Sequence, residues 1–264
     1  MIVALEGKTL VVTGGTQGLG ETIARLASAG GVEAIAIVGR NAERGTRIAG
    51  ELSRHDQPVV FIQADLAEPS APAAVMSEAI NRLGRVDCLV NAAALTDRAS
   101  LETGSMDDWE RLFSVNARAP FFLMQAAVAD MKARRAPGSI VNILSVNAHC
   151  GAADLAIYSA TKGALSTLTK NIANAHLADR IRINGINMGW VATPAEQEMQ
   201  ARKLGKGEDW AKAAAAGMPL GRLLTMDEVA QLALFLLSDM SGLMTGTLID
   251  MEQAVLGAPP RGIA

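Results

Sequence analysis

Short, almost wholly apolar runs alternate with longer stretches of helical periodicity from residue 9 to residue 250, and this alternation constrains the fold more than any other feature. The runs are Thr9–Thr13, Ala34–Val38, Val59–Gln63, Asp87–Asn91, Ser139–Leu144, Arg182–Ile186 and Thr247–Asp250. A strand with one wet face would alternate apolar and polar residues; these are apolar nearly throughout, as parallel strands covered on both faces are. Helices are predicted between them at Gly18–Ala29, Ala42–Ser53, Ala71–Leu83, Asp107–Lys132, Ile157–Leu177 and Asp227–Leu237. Thr225 followed by Glu228 reads as a capping box that starts the last helix. Strand–helix–strand repetition means right-handed crossovers and one α/β domain over residues 1–264, a doubly wound parallel sheet of about seven strands flanked by helices on both faces. Only 191–220 breaks the rhythm: Pro194, Gly205, Gly207, Gly217 and Pro219 interrupt short helical pieces, which makes the segment a candidate substrate lid.

Composition narrows the function classes. Half of the 264 residues are hydrophobic and 19% are charged, enough for a large core. With a net charge of −3 and scattered Lys and Arg, the chain has no basic face for a nucleic-acid backbone, so nucleic acid is not an expected partner. Apolar runs such as 232–237 fall far short of the roughly 20 residues a membrane span needs. No basic stretch, long apolar region or small-residue cleavage site marks the N-terminus, and a cytoplasmic location is expected. Cys88 and Cys150 lack paired spacing, and His55, His149 and His176 lack metal-ligand spacing, so neither a disulfide framework nor a metal is expected.

Directly after the first predicted strand comes Thr13-Gly14-Gly15-Thr16-Gln17-Gly18-Leu19-Gly20, leading into a helix. Glycines there permit positive φ and close approach of a pyrophosphate, whose charge then sits on the helix N-terminus. The spacing departs from G-x-G-x-x-G, yet the position in the first βα turn points to a Rossmann-type dinucleotide site. No Gly-Lys-Ser/Thr follows, which excludes a P-loop.

The T-G-x-x-x-G-x-G arrangement resembles the cofactor motif of the short-chain dehydrogenase/reductase family, and further motifs follow in the family's order. Asn91-Ala92-Ala93-Ala94 resembles the N-N-A-G turn after the fourth strand, Asn116 lies in the long fourth predicted helix, Ser145 follows the fifth strand, and Tyr158-Ser159-Ala160-Thr161-Lys162 supplies Y-x-x-x-K. The resemblance spans about residues 7–255. It implies an NAD(P)-dependent alcohol dehydrogenase or ketone reductase with Asn116, Ser145, Tyr158 and Lys162 as catalytic residues, assembled as a homotetramer or homodimer through its two long helices.

The residue types suit that chemistry. Tyr158 and Lys162 stand one helical turn apart on one face, and Tyr158 is the only tyrosine in the chain. Hydride transfer at a carbinol carbon needs the alcohol proton to move near neutral pH, whereas a phenol titrates near 10. A nearby ammonium and an oxidised nicotinamide both favour phenolate, and Lys162 is expected to supply the first charge. Ser145 would offer an oriented hydrogen bond to the reacting oxygen. By resemblance Asn116 supports a water-linked proton path to Lys162; the alternative is a polar core residue that distorts its helix.

The resemblance also assigns cofactor contacts to Gly14, Thr16, Gln17, Gly18, Leu19, Gly20, Asp65, Leu66, Asn91, Ala92, Ala93, Tyr158, Lys162, Gly189, Val191 and Thr193. The chain departs from the family where Ala92 and Ala94 replace the second Asn and the Gly of the turn, and where Met188-Gly189 replaces Pro-Gly. After the second strand it reads Val38-Gly39-Arg40-Asn41, with no carboxylate for the ribose hydroxyls. Arg40 could pair with a 2′-phosphate, which tilts the expectation from NAD toward NADP. Asn147, His149 and Trp190, with Ser145 and Tyr158, are candidate substrate contacts, and their polarity favours a sugar or polyol. A 3-oxoacyl thioester reductase is the enzymatic alternative, and a non-catalytic dinucleotide sensor or scaffold the alternative of another class.

Overall fold

The computed structural model describes residues 5–255, so the expectation that residues 1–4 and 256–264 share the domain lies outside the described residues. Seven parallel strands form one sheet: β1 (Thr9–Thr13), β2 (Ala34–Gly39), β3 (Val59–Gln63), β4 (Cys88–Asn91), β5 (Gly138–Ile143), β6 (Ile181–Met188) and β7 (Leu248–Met251). Their order is β3-β2-β1-β4-β5-β6-β7. The order reverses between β1 and β4, the switch point at whose carboxyl ends ligands bind in doubly wound sheets.

The helices are α1 (Gly18–Ala29), α2 (Ala42–Leu52), α3 (Ala71–Leu83), α4 (Met106–Phe113), α5 (Ala119–Ala133), α6 (Ala156–Ala175), α7 (Pro194–Gln197), α8 (Trp210–Ala216) and α9 (Met226–Leu237). Side chains alternate across the pleat into two cores. Leu10, Val12, Ile35 and Ile37 pack with α1, α2 and α9 on one face. Val11, Ala36, Val38 and Leu89 pack with α3, α5 and α6 on the other. Both faces being dry explains the unbroken apolar runs of the sequence. The capping box at Thr225 is formed, with the Thr225 hydroxyl accepting from the Glu228 amide and the Glu228 carboxylate accepting from the Thr225 amide.

Two expectations need correction. The helix predicted over Asp107–Lys132 is not continuous: a π-helical turn, Ser114–Arg118, separates α4 from α5, and Asn116 sits inside it. The strand predicted over Arg182–Ile186 is longer than its apolar run implies, since β6 continues to Met188, which pairs with Met251 of β7.

Candidate active site

Two clefts open at the carboxyl ends of the strands. The first runs over the β1–α1 turn, where Gly14 (φ 69°) and Gly18 (φ 56°) adopt conformations that favour glycine. A Cβ on Gly14 would lie 2.9 Å from the Ala93 amide nitrogen, and one on Gly20 would lie 2.4 Å from the Gly14 carbonyl oxygen, so neither position admits a side chain. Gln17 begins α1 without a side-chain cap, which leaves first-turn N–H groups directed at the cleft mouth. Thr16, Leu19, Arg40, Asp65, Leu66, Ala92 and Ala93 line the same cleft. Asp65 also accepts from the Ala67 amide at 3.0 Å, so it holds the turn after β3 as well as facing the cleft.

The second cleft lies between the ends of β5 and β6 and the segment carrying α7. Ser145, Asn147, Gly189, Trp190 and Val191 line it. Tyr158 lines both clefts, with Lys162 on the first side and Ser145 on the second. Thr193 and Met188 are likewise common to both. Thr193 caps α7, its hydroxyl accepting from the Glu196 amide at 3.1 Å.

The sequence profile of the short chain dehydrogenase family matches residues 8–204. The chain belongs to that family. It is 32% identical over 256 residues to L-xylulose reductase of Bos taurus, covering 97% of this chain and 99% of the relative. It is 31% identical over 252 residues to the 3-oxoacyl-[acyl-carrier-protein] reductase of Chlamydia pneumoniae, covering 96% and 98%. Among solved structures, L-sorbose reductase from Gluconobacter frateurii, complexed with NADPH and L-sorbose, superposes with a TM-score of 0.90 at 27% identity, covering 98% of this chain and 100% of that one.

In this short-chain dehydrogenase the tyrosine helix is pinned from three sides. Lys162, 2% exposed, donates from Nζ to the Ile143 carbonyl oxygen at 2.8 Å and stands 5.8 Å from the centre of the Tyr158 ring. Asn116, fully buried, accepts from the Leu95 amide at 2.8 Å, donates back to the Leu95 carbonyl at 2.9 Å, and donates to Thr161 Oγ1 at 3.1 Å. Asn142 accepts from Asn91 Nδ2 at 2.8 Å and donates to Thr169 on α6 at 2.8 Å.

Electrostatics in the dehydrogenase cleft differ from the sequence expectation. Burial pushes the Tyr158 phenol up to about 12, against a lowering by the Ser145 hydroxyl; Glu196 raises it and Arg98 lowers it. Burial alone pushes Lys162 down to about 8. With protein groups only, the lysine therefore does not hold the phenol acidic: burial is the largest influence on the phenol and the whole of the shift on the amine.

Several expected contacts are placed elsewhere. His149 turns away from both clefts and pairs through Nε2 with Asp250 Oδ1 at 2.9 Å at the end of β7. The two hydrogen-bonding residues Asn187 and Asp250 hold it there, since Asn187 Nδ2 also donates to Asp250 at 2.7 Å. The Asn91 and Asn116 side chains are absorbed by the interior bonds above rather than lining a cleft. Gly189 and Val191 border the second cleft, not the first. Thr13 reads in the sequence as the end of a strand and the first residue of the glycine motif, and its hydroxyl also accepts from the Ala92 and Ala93 amides at 3.1 and 3.2 Å. That clamp fixes the turn through backbone groups, which is why alanines serve there. Arg44, one turn into α2, joins Arg40 at the first cleft and donates to Gln17. Arg98, Glu196, Gln200 and Glu252 of the second cleft carry no sequence motif at all.

Proposed function

We propose that the protein is an NAD(P)-dependent oxidoreductase that moves hydride between a nicotinamide and the carbinol or carbonyl carbon of a small hydroxylated compound, a sugar or polyol. The observation that carries this reading is the position of Tyr158, shared by both clefts with Lys162 on one side and Ser145 on the other. The glycine cradle, the uncapped start of α1 and Asp65 suit a dinucleotide, and nicotinamide supplies the hydride acceptor and, when oxidised, a positive charge. Ser145 holds the reacting oxygen by a hydrogen bond. Tyr158 Oη passes the proton to or from that oxygen, and Lys162, anchored on Ile143 and lining the first cleft, would hold the ribose end of a bound cofactor and adds positive charge when protonated. Asn116 acts through Leu95 and Thr161 by fixing the start of α6 rather than by touching substrate.

Arg40 just after β2 and Arg44 in the first turn of α2, with no carboxylate at the end of β2, favour NADP over NAD. The ketose reductases among the relatives and the charged second cleft support a sugar or polyol over a 3-oxoacyl thioester. The remaining readings are one domain with residues 191–220 as the substrate lid, a cytoplasmic location, and a homotetramer or homodimer. No helix of the described residues is long and apolar enough to cross a membrane. Met106, Trp109 and Phe122, exposed along α4 and α5, support assembly through that side. The test is Tyr158→Phe. It is expected to bind NADP as the wild type does, seen as an unchanged thermal shift, and to lose at least a thousandfold in turnover. Retained turnover would overturn the assignment.

A further inference from the structure

The wall of the second cleft holds an array centred on Glu196 that the proton chemistry leaves unused. Glu196 Oε1 accepts from Trp190 Nε1 at 3.0 Å and from Gln200 Nε2 at 2.7 Å, and lies 3.5 Å from Arg98 Nη2. These bonds orient the carboxylate and leave two polar atoms over. Gln200 is 2% exposed, and its Oε1 has no hydrogen-bond partner. Arg98 Nε is also buried without one, its nearest carboxylate, Asp154 Oδ2, lying 3.3 Å away in a geometry that makes no hydrogen bond. Arg98 and Gln200 both line the second cleft. An orphaned buried donor or acceptor costs about 1–3 kcal/mol, so a ligand seated there that pairs with them would recover that cost.

The two orphans differ in kind: Gln200 Oε1 is an acceptor and Arg98 Nε–H a donor. A hydroxyl group both donates and accepts, whereas a carbonyl or thioester oxygen only accepts and a methylene does neither. Arg98, Glu196 and Gln200 line the same cleft as Ser145 and Tyr158, which puts the array on the wall of the pocket that would hold the reacting carbon's neighbours. Resting on the oxidoreductase reading above, we propose that Arg98, Glu196 and Gln200 form a subsite that recognises a hydroxyl on a carbon beyond the one that loses hydride, and so select polyols and ketoses over simple alcohols and acyl thioesters. Arg98 already faces the carboxylates of Asp154 and Glu196, which leaves it no spare charge for a substrate carboxylate.

The experiment compares wild type, Gln200→Met and Arg98→Lys on a panel of pentitols and hexitols, on 2-pentanol and on acetoacetyl-CoA. Melting temperature identifies any variant that fails to fold, and polyol binding is read separately by calorimetry. A fall of at least tenfold in the ratio of polyol to 2-pentanol kcat/KM, in whichever variant is folded, is expected. An unchanged ratio overturns the subsite, as does a wild type that reduces acetoacetyl-CoA and binds no polyol. Should the wild type bind a polyol, and the variants bind it tenfold more weakly, while no alcohol is ever oxidised, the subsite stands and the oxidoreductase reading falls. Oxidation of 2-pentanol without any polyol binding means the opposite: the subsite falls and the oxidoreductase reading stands.

Discussion

Lys162 is a cation placed where a cation is disfavoured. Between pH 8 and 10.5 the folded protein has released its proton, while the unfolded chain still holds one. Because the unfolded state binds more protons in that window, this lysine's contribution to stability rises with pH. Wild type should therefore gain on Lys162→Met by up to ~1.4 kcal/mol per pH unit across the window, measured by denaturant unfolding at several pH values. A flat difference would mean that the amine is better solvated than its burial implies. The residue scale also shows what spacing conveys and what it misses. Tyr158, Lys162 and Ser145 are legible because helical geometry and strand ends place them by local rules. The place of His149 is not, because its partners, Asn187 and Asp250, are distant in sequence and out-compete the cleft for its ring. The array at Glu196 is hidden for the same reason: Arg98 comes from the β4–α4 connection and the other three from a separate stretch.

At the scale of elements, periodicity locates every strand and the helices of the sheet, since each is set by apolar pattern and end signals. The break between α4 and α5 is legible only through the alternative reading of Asn116 as a polar core residue that distorts its helix, because nothing else in Ser114–Arg118 forbids an α-helix. Asn116 stabilises the break by using its amide as a surrogate peptide group, pairing with both backbone atoms of Leu95 while reaching Thr161. Removing it in Asn116→Ala leaves those groups unpaired in the interior, at a cost of about 2–4 kcal/mol by urea unfolding. Since Thr161 Oγ1 donates to the Tyr158 carbonyl oxygen at 2.6 Å, the loosened start of α6 should also lower kcat while the KM for NADP holds. A drop in stability with kcat intact would confine Asn116 to a structural part.

For the molecule as a whole, the first cleft draws its wall from the ends of six strands, so a ligand seated there ties both halves of the sheet together. Binding at about a hundred times Kd adds roughly 2.7 kcal/mol of stability. A domain of this size should then melt several degrees higher, and more so with NADP than with NAD at equal concentration. In Arg40→Ala/Arg44→Ala the two cofactors should give equal shifts; a persisting preference for NADP would place 2′-phosphate recognition elsewhere. The sheet itself follows from strand and helix alternation, while the path of the segment after β6 does not, since its anchors are long-range. Lys203 reaches Asp97 at 3.2 Å, and Gln253 Oε1 accepts from the Leu220 amide at 2.9 Å.

The second cleft is built on a different plan, with Trp190 to Met218 supplying most of its outer wall from one uninterrupted length of chain. Such a wall is a cassette. A lineage can exchange it, or an engineer can transplant it from a cousin, provided Thr193 and Pro194 beside the glycine turn are kept, so new substrates become reachable by a single splice rather than by many coordinated substitutions.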